Sequence, residues 1–283
     1  MFDNPIAINQ IIQRALLEDI GSSDVTTEAI VDPKRRGKAE LLAKEDIVLA
    51  GLPVFVRVFR QLSSEMGFEH YFRDGERVPA GERISLISGP VSAMLQAERT
   101  ALNFLQRMSG IATLARKFVD RIGTRKVRIV DTRKTVPGLR LLDKYAVRMG
   151  GGANHRLGLF DGVLIKDNHI AAAGSIKEAI DLARDKVPHT LKIEVEVEDL
   201  DGVKAAVDAG ADVVLLDNMS PAIMKEAVKL TEGRVMLEAS GNINMDNIEE
   251  VAQTGVHIIS IGALTHSVRA VDLSLEIIPD KIV

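Results

Sequence analysis

Residues 127–170 read VRIVDTRKTVPGLRLLDKYAVRMGGGANHRLGLFDGVLIKDNHI, and they contain two predicted strands that each run straight into charged residues. The first apolar run, VRIV, leads into Asp131–Lys134, and the second, GVLI, leads into Lys166–His169. Between them lie a basic helix pattern, a glycine triplet at 150–152 and the pair His155-Arg156. Gathering so many cations is costly unless an anion lies among them, so this stretch predicts an anion-binding site.

From residue 127 onward, β-branched runs alternate with amphipathic helix patterns. The predicted strands are 127–130, 163–165, 191–195, 213–216, 235–237 and 258–261, and the predicted helices are 139–149, 175–186, 199–209, 220–231 and 245–254. From Leu191 the strands begin 22, 22 and 23 residues apart, which is typical of βα units joined by right-handed crossovers.

This repeat predicts a TIM-like α/β barrel, complete or incomplete. Six strands are clear where a full barrel needs about eight, and a weak strand around 150–156 would add to the count. A doubly wound parallel sheet is the alternative.

Residues 1–107 predict a separate, small α+β domain with an antiparallel sheet, and residues 108–283 the barrel. The first part contains a helix pattern at 5–20, two strands within 36–50, a helix from Pro53 and a strand–turn–strand pattern at 68–89, with a turn-rich stretch at 21–30. A long helix begins near Val91, with a candidate break at Ser109-Gly110. The tail, about 268–283, is predicted to return to the first domain as a last strand or helix.

Composition indicates a globular protein that does not coat nucleic acid. Hydrophobic residues make up 46%, charged residues 27%, and the net charge is −4. Residues 125–156 carry nine Lys/Arg against two Asp/Glu, whereas residues 191–250 carry fourteen Asp/Glu against five Lys/Arg, which suits a polyanion that brings a divalent cation. The chain has no cysteine, no signal-peptide pattern and no apolar run near the roughly 20 residues of a membrane helix, so a cytoplasmic location is expected.

Polar residues follow every predicted barrel strand, at the end where barrels carry their active sites. They are Asp131, Thr132, Arg133, Lys134, Lys166, Asp167, Asn168, Glu194, Glu196, Asp217, Asn218, Glu238, Ser240, Ser260 and Gly262. The same placement in six units predicts one common site.

Residue chemistry suggests roles within that site. Arg133, His155 and Arg156 suit carboxylates or phosphates, and Lys134 and Lys166 supply compact positive charge.

Glu196 and Asp217 suit sugar hydroxyls or Mg²⁺. Glu194 and Glu198 share the strand parity of Glu196, so spacing alone does not choose among the three glutamates.

Two short, turn-forming segments predict phosphate contacts through backbone N–H groups: Ser240-Gly241-Asn242 and Ser260-Ile261-Gly262. Asn242 could equally be a helix cap. Arg99, on the long helix, has the pattern of a surface residue, and His169 that of a loop histidine.

Several motifs, in this order, closely resemble the quinolinate phosphoribosyltransferase family. They are DVTT (24–27), ERTALNFLQRMSGIAT (98–113), DTRKTVPGLR, GGGANHRLGL, IKDNHI, EVEVE, LLDN, EASGNI and ISIGALTHS, and they extend over nearly the whole chain. The resemblance implies transfer of phosphoribose from phosphoribosyl pyrophosphate to quinolinate, with Mg²⁺, giving nicotinate mononucleotide, pyrophosphate and CO₂ in NAD biosynthesis. It also implies an N-terminal α/β sandwich domain, an incomplete α/β barrel and a homodimer.

The resemblance also implies residue roles. The arginine at position 99 would reach the partner subunit's site, contrary to its surface pattern. The family's basic pocket matches Arg133, Lys134, His155, Arg156 and Lys166, and its acidic pair at ribose and metal matches Glu196 and Asp217. The catalytic set would be Lys134, Lys166, Glu196 and Asp217, with Thr132 among the substrate contacts and the segments 240–242 and 260–262 as the 5-phosphate loops. Asn242 departs from the family, where many members have a second glycine.

Three other functions remain as alternatives. A related family linked to molybdenum transport shares parts of these motifs. A non-catalytic phosphometabolite sensor would bind without turnover. A barrel aldolase would use Lys134 or Lys166 as a Schiff-base lysine.

Overall fold

The computed structural model describes residues 4–278. Its helices are α1 Pro5–Ile20, α2 Val25–Ile30, α3 Leu52–Leu62, α4 Val91–Ile122, α5 Arg140–Met149, α6 Asp167–Ala173, α7 Ile176–Lys186, α8 Leu200–Asp208, α9 Pro221–Thr231, α10 Ile248–Ala252 and α11 Ala263–His266. Its strands are β1 Arg36–Ala43, β2 Ile47–Val48, β3 Gly67–His70, β4 Arg77–Val78, β5 Arg83–Pro90, β6 Arg128–Val130, β7 Val163–Ile165, β8 Ile193–Val197, β9 Val213–Asp217, β10 Met236–Ser240, β11 Ile258–Ser260 and β12 Leu273–Ile277.

The described chain divides into two compact units. The first comprises the residues up to Arg116, Thr135–Gly151 and the residues from Ser267, and the second comprises Lys117–Lys134 and Gly152–His266. The boundary predicted after residue 107 falls inside the continuous helix α4. Within the described part of the chain, no helix is long and apolar enough to cross a membrane.

Residues 135–151 belong to the first unit through polar contacts of α5. Asp143 is fully buried and accepts two hydrogen bonds from Arg107 of α4, at 3.0 and 2.8 Å. The hydroxyl of Tyr145 donates to Asp74 at 2.7 Å. A buried carboxylate needs such a partner, so these contacts hold α5 on the first unit.

The first unit is built on a four-stranded antiparallel sheet in the order β12-β1-β5-β3, beside the two-stranded sheet β2-β4. Along β1 the residues Gly37, Ala39, Leu41 and Ala43 are buried, as expected where one face of a sheet meets a core. The C-terminal segment returns to this sheet, because β12 pairs with β1 from Ala39↔Ile277 to Ala43↔Leu273. The stretch 21–30, predicted as turn-rich, includes the short helix α2, whose cap Asp24 accepts from the N–H of Thr27.

The second unit is an incomplete parallel barrel. Its six described strands are hydrogen-bonded in the order β6-β11-β10-β9-β8-β7, so strand order is cyclic, with the ladder open between β6 and β7. A doubly wound sheet would reverse its strand order at a switch point, which this sheet does not do, so the alternative is wrong. The weak strand predicted around 150–156 amounts to one isolated bridge, Val130↔Ala153.

Helix α4 runs without interruption through the candidate break at Ser109-Gly110. Glycine is needed at position 110 because another segment of backbone packs closely against it, and not because the helix bends there. A Cβ at position 110 would lie 2.3 Å from the carbonyl oxygen of Arg269, far inside contact distance.

We predict that Gly110→Ala destabilises the protein although alanine favours helix by about 1 kcal/mol. The clash with the Arg269 backbone forces a shift that costs about 1–3 kcal/mol beyond that gain. Thermal unfolding should show a Tm about 2–10 °C lower. Lys117→Ala, at an exposed position of the same helix, is the control and should leave Tm unchanged. A Gly110→Ala protein as stable as the control would contradict the close contact.

Candidate active site

One cavity of about 1040 Å³ lies at the C-terminal ends of the barrel strands. Fourteen of the residues predicted for the site line it: Thr132, Arg133, Lys134, His155, Arg156, Lys166, Glu196, Asp217, Ser240, Gly241, Asn242, Ser260, Ile261 and Gly262. We call this cavity the upper pocket. Its volume is at the large end of the range for small-molecule sites, so it has room for two small substrates.

Of the strand-end residues predicted for the common site, Asp131, Asp167, Asn168 and Glu194 do not line the upper pocket, and neither does Arg99. Arg99 is exposed on α4 in the first unit. The structure also separates the three glutamates that strand parity left equivalent. Glu196 lines the upper pocket, Glu194 is buried below it, and Glu198 is exposed.

Asp131 joins the end of β6 to the segment that carries His155 and Arg156. Its carboxylate is fully buried and accepts the backbone N–H of His155 at 3.0 Å and the side-chain amide of Asn154 at 2.5 Å. The backbone N–H of Ala153 donates to Ile129 at 2.8 Å. These bonds place the imidazole and guanidinium that follow at the wall of the upper pocket.

The ring of His155 is held at both nitrogens. Nδ1 accepts the backbone N–H of Arg156 at 2.8 Å, and an N–H can only donate. In the neutral ring the proton therefore lies on Nε2, which donates to Glu194 Oε2 at 3.0 Å, with Glu238 Oε1 at 3.7 Å. His155 thus links the backbone of Arg156 to two buried carboxyl groups.

Glu238 is almost fully buried, and its environment favours the protonated form. Burial and the neighbouring carboxylate of Glu194 raise its pKa to about 7, against the opposing effects of His155 and a hydrogen bond with Ser260. Potential ligand atoms of His155, Glu194 and Glu238 lie within 4.8 Å of one another. A metal ion at this cluster would need the Nε2 lone pair, where the hydrogen bonds place a proton, so the geometry favours a bound proton over a metal ion.

Two guanidinium groups crowd one part of the upper pocket. Burial lowers the pKa of Arg156, and the positive charge of Arg133 lowers it further, partly offset by Glu194 and Asp161. Arg156 Nη1 donates to the carbonyl of Gly162 at 2.9 Å. Like charges held this close are typical of a site for an anionic group that bridges them.

Lys166 and Glu196 form an ion pair at the pocket wall. Lys166 is the N-cap residue before α6, and its backbone N–H donates to Nδ1 of His169 at 2.9 Å. His169 therefore caps this helix as well as lining the pocket, and it lies in the first turn of α6 rather than in the predicted loop.

Lys134 is held through its backbone. Its N–H donates to Thr132 Oγ1 at 3.1 Å, and its carbonyl accepts from the hydroxyl of Thr265 at 2.8 Å. Its side chain passes so close to Gly262 that a Cβ there would lie 3.0 Å from Lys134 Cδ. The small residue at position 262 therefore leaves room for the lysine chain.

The loops after β9 and β10 each contain an asparagine with left-handed backbone, and the two side chains contact each other. Asn218 has φ 53° and Asn242 has φ 51°, and the Asn242 amide donates to the Asn218 side-chain oxygen at 3.0 Å. Gly241, between them in space, has φ 91°, and a Cβ there would lie 2.2 Å from that oxygen. Asn242 therefore has a structural role, and it is not the cap of α10, which is Asn247. Strained backbone of this kind concentrates at binding sites.

Other pocket residues were missed by the sequence analysis. They are Leu159, Leu164, His169, Leu215, Ile243, Asn244, Ala263 and His266, together with Asn218 and Glu238, which it had only placed at strand ends. Inward alternation along β7 and β9 could have indicated Leu164 and Leu215. His266 lies within the ISIGALTHS motif, but no pattern singled it out; it follows β11 on the short helix α11.

Comparisons with known proteins agree over almost the whole chain. Residues 24–109 match the quinolinate phosphoribosyl transferase N-terminal domain, and residues 111–276 match the C-terminal domain. A probable nicotinate-nucleotide pyrophosphorylase (carboxylating) of Bacillus subtilis (strain 168) is 42% identical, over 97% of this chain and 94% of its own length. Its counterpart from Methanothermobacter thermautotrophicus is 44% identical, over 94% of this chain and 98% of its own length.

Solved structures agree with this assignment. The nicotinate-nucleotide pyrophosphorylase from Francisella tularensis superimposes with a TM-score of 0.92 at 42% identity, covering 96% of each chain. The fold, the match to both domains and the identity to these relatives lead to one conclusion: the chain belongs to the quinolinate phosphoribosyltransferase family.

Proposed function

We propose that this chain transfers the phosphoribosyl group of phosphoribosyl pyrophosphate to quinolinate and releases pyrophosphate and CO₂. The product is nicotinate mononucleotide, a step of NAD biosynthesis. One observation carries the proposal: a single pocket is lined both by the cations Arg133, Lys134, Arg156 and Lys166 and by the carboxylates Glu196 and Asp217. A site for two anionic substrates and an electron-poor sugar carbon needs both kinds of charge. A cytoplasmic location, suited to a chain without cysteine, is part of the proposal.

Binding follows from the placement of charge. Quinolinate is a dianion and the phosphoribosyl donor a polyanion, so they repel each other unless cations offset their charge. The positive charges of Arg133 and Arg156 repel each other, and a carboxylate bound between them offsets that repulsion. The small-residue segments 240–242 and 260–262 line the pocket where barrels bind phosphate through backbone N–H groups.

Catalysis then rests on positioning and electrostatics. Departure of pyrophosphate leaves positive charge at the ribose carbon, which Glu196 and Asp217 stabilise. The ring nitrogen becomes cationic when the new bond forms, and it then accepts the electron pair that the departing carboxylate leaves behind. The chain holds the partners in reach, and no covalent intermediate with the protein is required.

The residues present could hold Mg²⁺ only if the substrate supplied some of its ligands. Glu196 and Asp217 lie on neighbouring strands and offer hard oxygen ligands, but Lys166 engages one oxygen of Glu196, and the Asn218 amide donates to Asp217 at 2.8 Å. These two carboxylates would therefore hold the ion together with substrate phosphates. When bound, Mg²⁺ supplies positive charge at the leaving pyrophosphate.

The alternatives gain no support from the site. A Schiff-base aldolase needs a lysine amine free to attack a carbonyl, whereas Lys166 is held in an ion pair with Glu196. A sensor or a molybdenum-linked relative would bind without quinolinate turnover, which the first assay below decides.

Purified protein should release CO₂ from carboxyl-labelled quinolinate only when phosphoribosyl pyrophosphate and Mg²⁺ are both present. Nicotinate should not replace quinolinate as the acceptor, because the paired guanidinium groups suit a second carboxylate. Nucleotide formation followed by chromatography checks the acceptor. Binding of both substrates by calorimetry without any CO₂ would contradict the proposal and favour a sensor.

Replacing Lys166 by alanine should lower kcat/KM by about 10²–10³-fold, since it removes one preorganised cation from the reacting groups. Lys177→Ala is the matched control, because Lys177 is also ion-paired with an acidic neighbour, Asp181, but lies exposed on α7. The control should keep its activity within about twofold. Circular dichroism and Tm verify that both variants fold, and near-normal kinetics for Lys166→Ala would remove Lys166 from the site.

A homodimer in which Arg99 serves the partner subunit's site is a further part of the proposal. Arg99 is exposed on α4, as a residue donated to another subunit must be in the isolated chain. In a symmetric dimer the donation is reciprocal.

Co-expression of two inactive variants tests this donation. Arg99→Ala with Lys166→Ala gives hybrid dimers with one intact site, and random assortment should restore about a quarter of the wild-type sites. Arg133→Ala with Lys166→Ala is the control and should restore nothing, because both residues line the same pocket of one chain. If Arg99 acts within its own chain, neither pair recovers activity.

A further inference from the structure

A second cavity, of about 290 Å³, lies on the opposite side of the buried cluster His155, Glu194 and Glu238. Its lining includes Arg128, Val163 and Met236, the first residues of β6, β7 and β10, so it opens toward the N-terminal ends of the strands. We call it the lower cavity. It shares three lining residues with the upper pocket, namely His155, Arg156 and Glu238.

Glu238 is the acidic residue common to both cavities. Glu194 lines the lower cavity, whereas Glu196 and Asp217 line the upper pocket. The carboxyl group of Glu238 therefore lies at the floor of the upper pocket, with Glu194 and the lower cavity behind it. Glu238 thus borders both the upper pocket and the lower cavity.

Hydrogen-bond accounting supports a proton at this position. Glu194 Oε1 and Glu238 Oε1 are both buried without a hydrogen-bond partner among the described protein groups. Ionised carboxylates only accept hydrogen bonds, and His155 Nε2 has one proton to give. Two buried carboxylates with unsatisfied oxygens are costly, and protonation of one of them lowers that cost.

The reaction proposed above requires an acid at one step. When CO₂ departs, the bond between ring carbon C2 and the carboxylate carbon breaks, and its electron pair remains on C2 beside the cationic ring nitrogen. The product carries hydrogen at C2, so a proton must reach this carbon inside the pocket.

We propose that Glu238 is this acid, donating the proton that bonds to C2 after CO₂ leaves. The inference rests on the proposed function. Glu238 is left as a carboxylate and takes a proton back from water by way of the lower cavity, which it lines itself, so charge and hydrogen balance over each turnover. A neutral Glu238 also lets the dianionic acceptor bind, whereas an ionised one repels it.

The groups around Glu238 decide when it carries a proton. In register with it on β9 is the apolar Leu215. The titratable and charged groups that line the same cavities are Arg128, Arg133, Lys134, His155, Arg156, Asp161, Lys166, His169, Lys192, Glu194, Glu196, Asp217 and His266. Among these, Glu194 raises and His155 lowers the pKa of Glu238, while burial gives the largest increase.

Single-turnover measurements separate the two chemical stages. In Glu238→Gln, pyrophosphate should appear within about threefold of the wild-type rate, because glycosyl transfer precedes the proton transfer. CO₂ release and nicotinate mononucleotide formation should slow by about 10²–10⁴-fold, the usual contribution of a general acid. Glu198→Gln, an exposed glutamate at the end of β8, is the control and should match the wild type in both stages.

The pH dependence supplies a second, independent readout. A proton donor must be protonated, so the wild-type CO₂-release rate should fall as pH rises through the Glu238 pKa of about 7. Glu194→Gln removes the neighbouring negative charge that raises this pKa, so the fall should move to lower pH. This variant also tests the proposal should Glu238→Gln fail to fold.

Several outcomes would overturn the inference. Equal loss of pyrophosphate and CO₂ formation in Glu238→Gln would indicate a role in binding or structure. Normal CO₂ release in that variant, or a pH dependence that Glu194→Gln leaves in place, would assign the proton to another acid such as Lys134 or Lys166. Wild-type protein that forms no CO₂ at all would instead reject the proposed function, so the two failures are distinct.

Discussion

The site depends on one buried carboxylate at the end of β6. Asp131 accepts the N–H of His155 and the amide of Asn154, and these bonds fix the segment that carries the next two side chains. The fixed backbone aims the N–H of Arg156 at His155 Nδ1, which in turn directs Nε2 to Glu194. The contact of Asp131 with this segment lies outside the pocket. It nevertheless determines the tautomer of His155, the position of the Arg156 guanidinium and the environment of Glu238.

The opening in the barrel serves this arrangement. The segment with His155 and Arg156 begins at the bridge on β6, at Ala153, and ends at β7. A regular strand here would commit its N–H groups to a ladder. Because it makes one bridge only, the N–H of His155 is available to Asp131, and the N–H of Arg156 to the imidazole. The absence of further strand pairing in this segment thus leaves these N–H groups to form polar interactions inside the barrel.

Much of the fold and site could be predicted because the spacing of apolar residues and the positions of polar residues are visible within short stretches of sequence. Regular spacing of βα units predicted the parallel barrel, and polar residues after each strand predicted the residues of one pocket. Parity could not separate Glu194 from Glu196, since both face inward and only depth along the barrel distinguishes them. The predicted break at Gly110 was wrong. Glycine is required there by a close contact with Arg269, which is far away in sequence. The left-handed backbone of Asn218 and Asn242 depends on their mutual hydrogen bond, which no local pattern reveals.

The strand β12 has a consequence for how the chain acquires its structure. It forms one edge of a sheet and pairs with β1, which lies far earlier in the sequence, so the pairing Ala39↔Ile277 closes a loop that contains the entire barrel. Contacts of such high sequence separation form late and slowly. Until they form, β1 presents unpaired N–H and C=O groups along one side, which is a template for association with other chains. Folding molecules of this protein therefore pass through a period in which the edge of β1 is exposed, and that period ends when β12 docks.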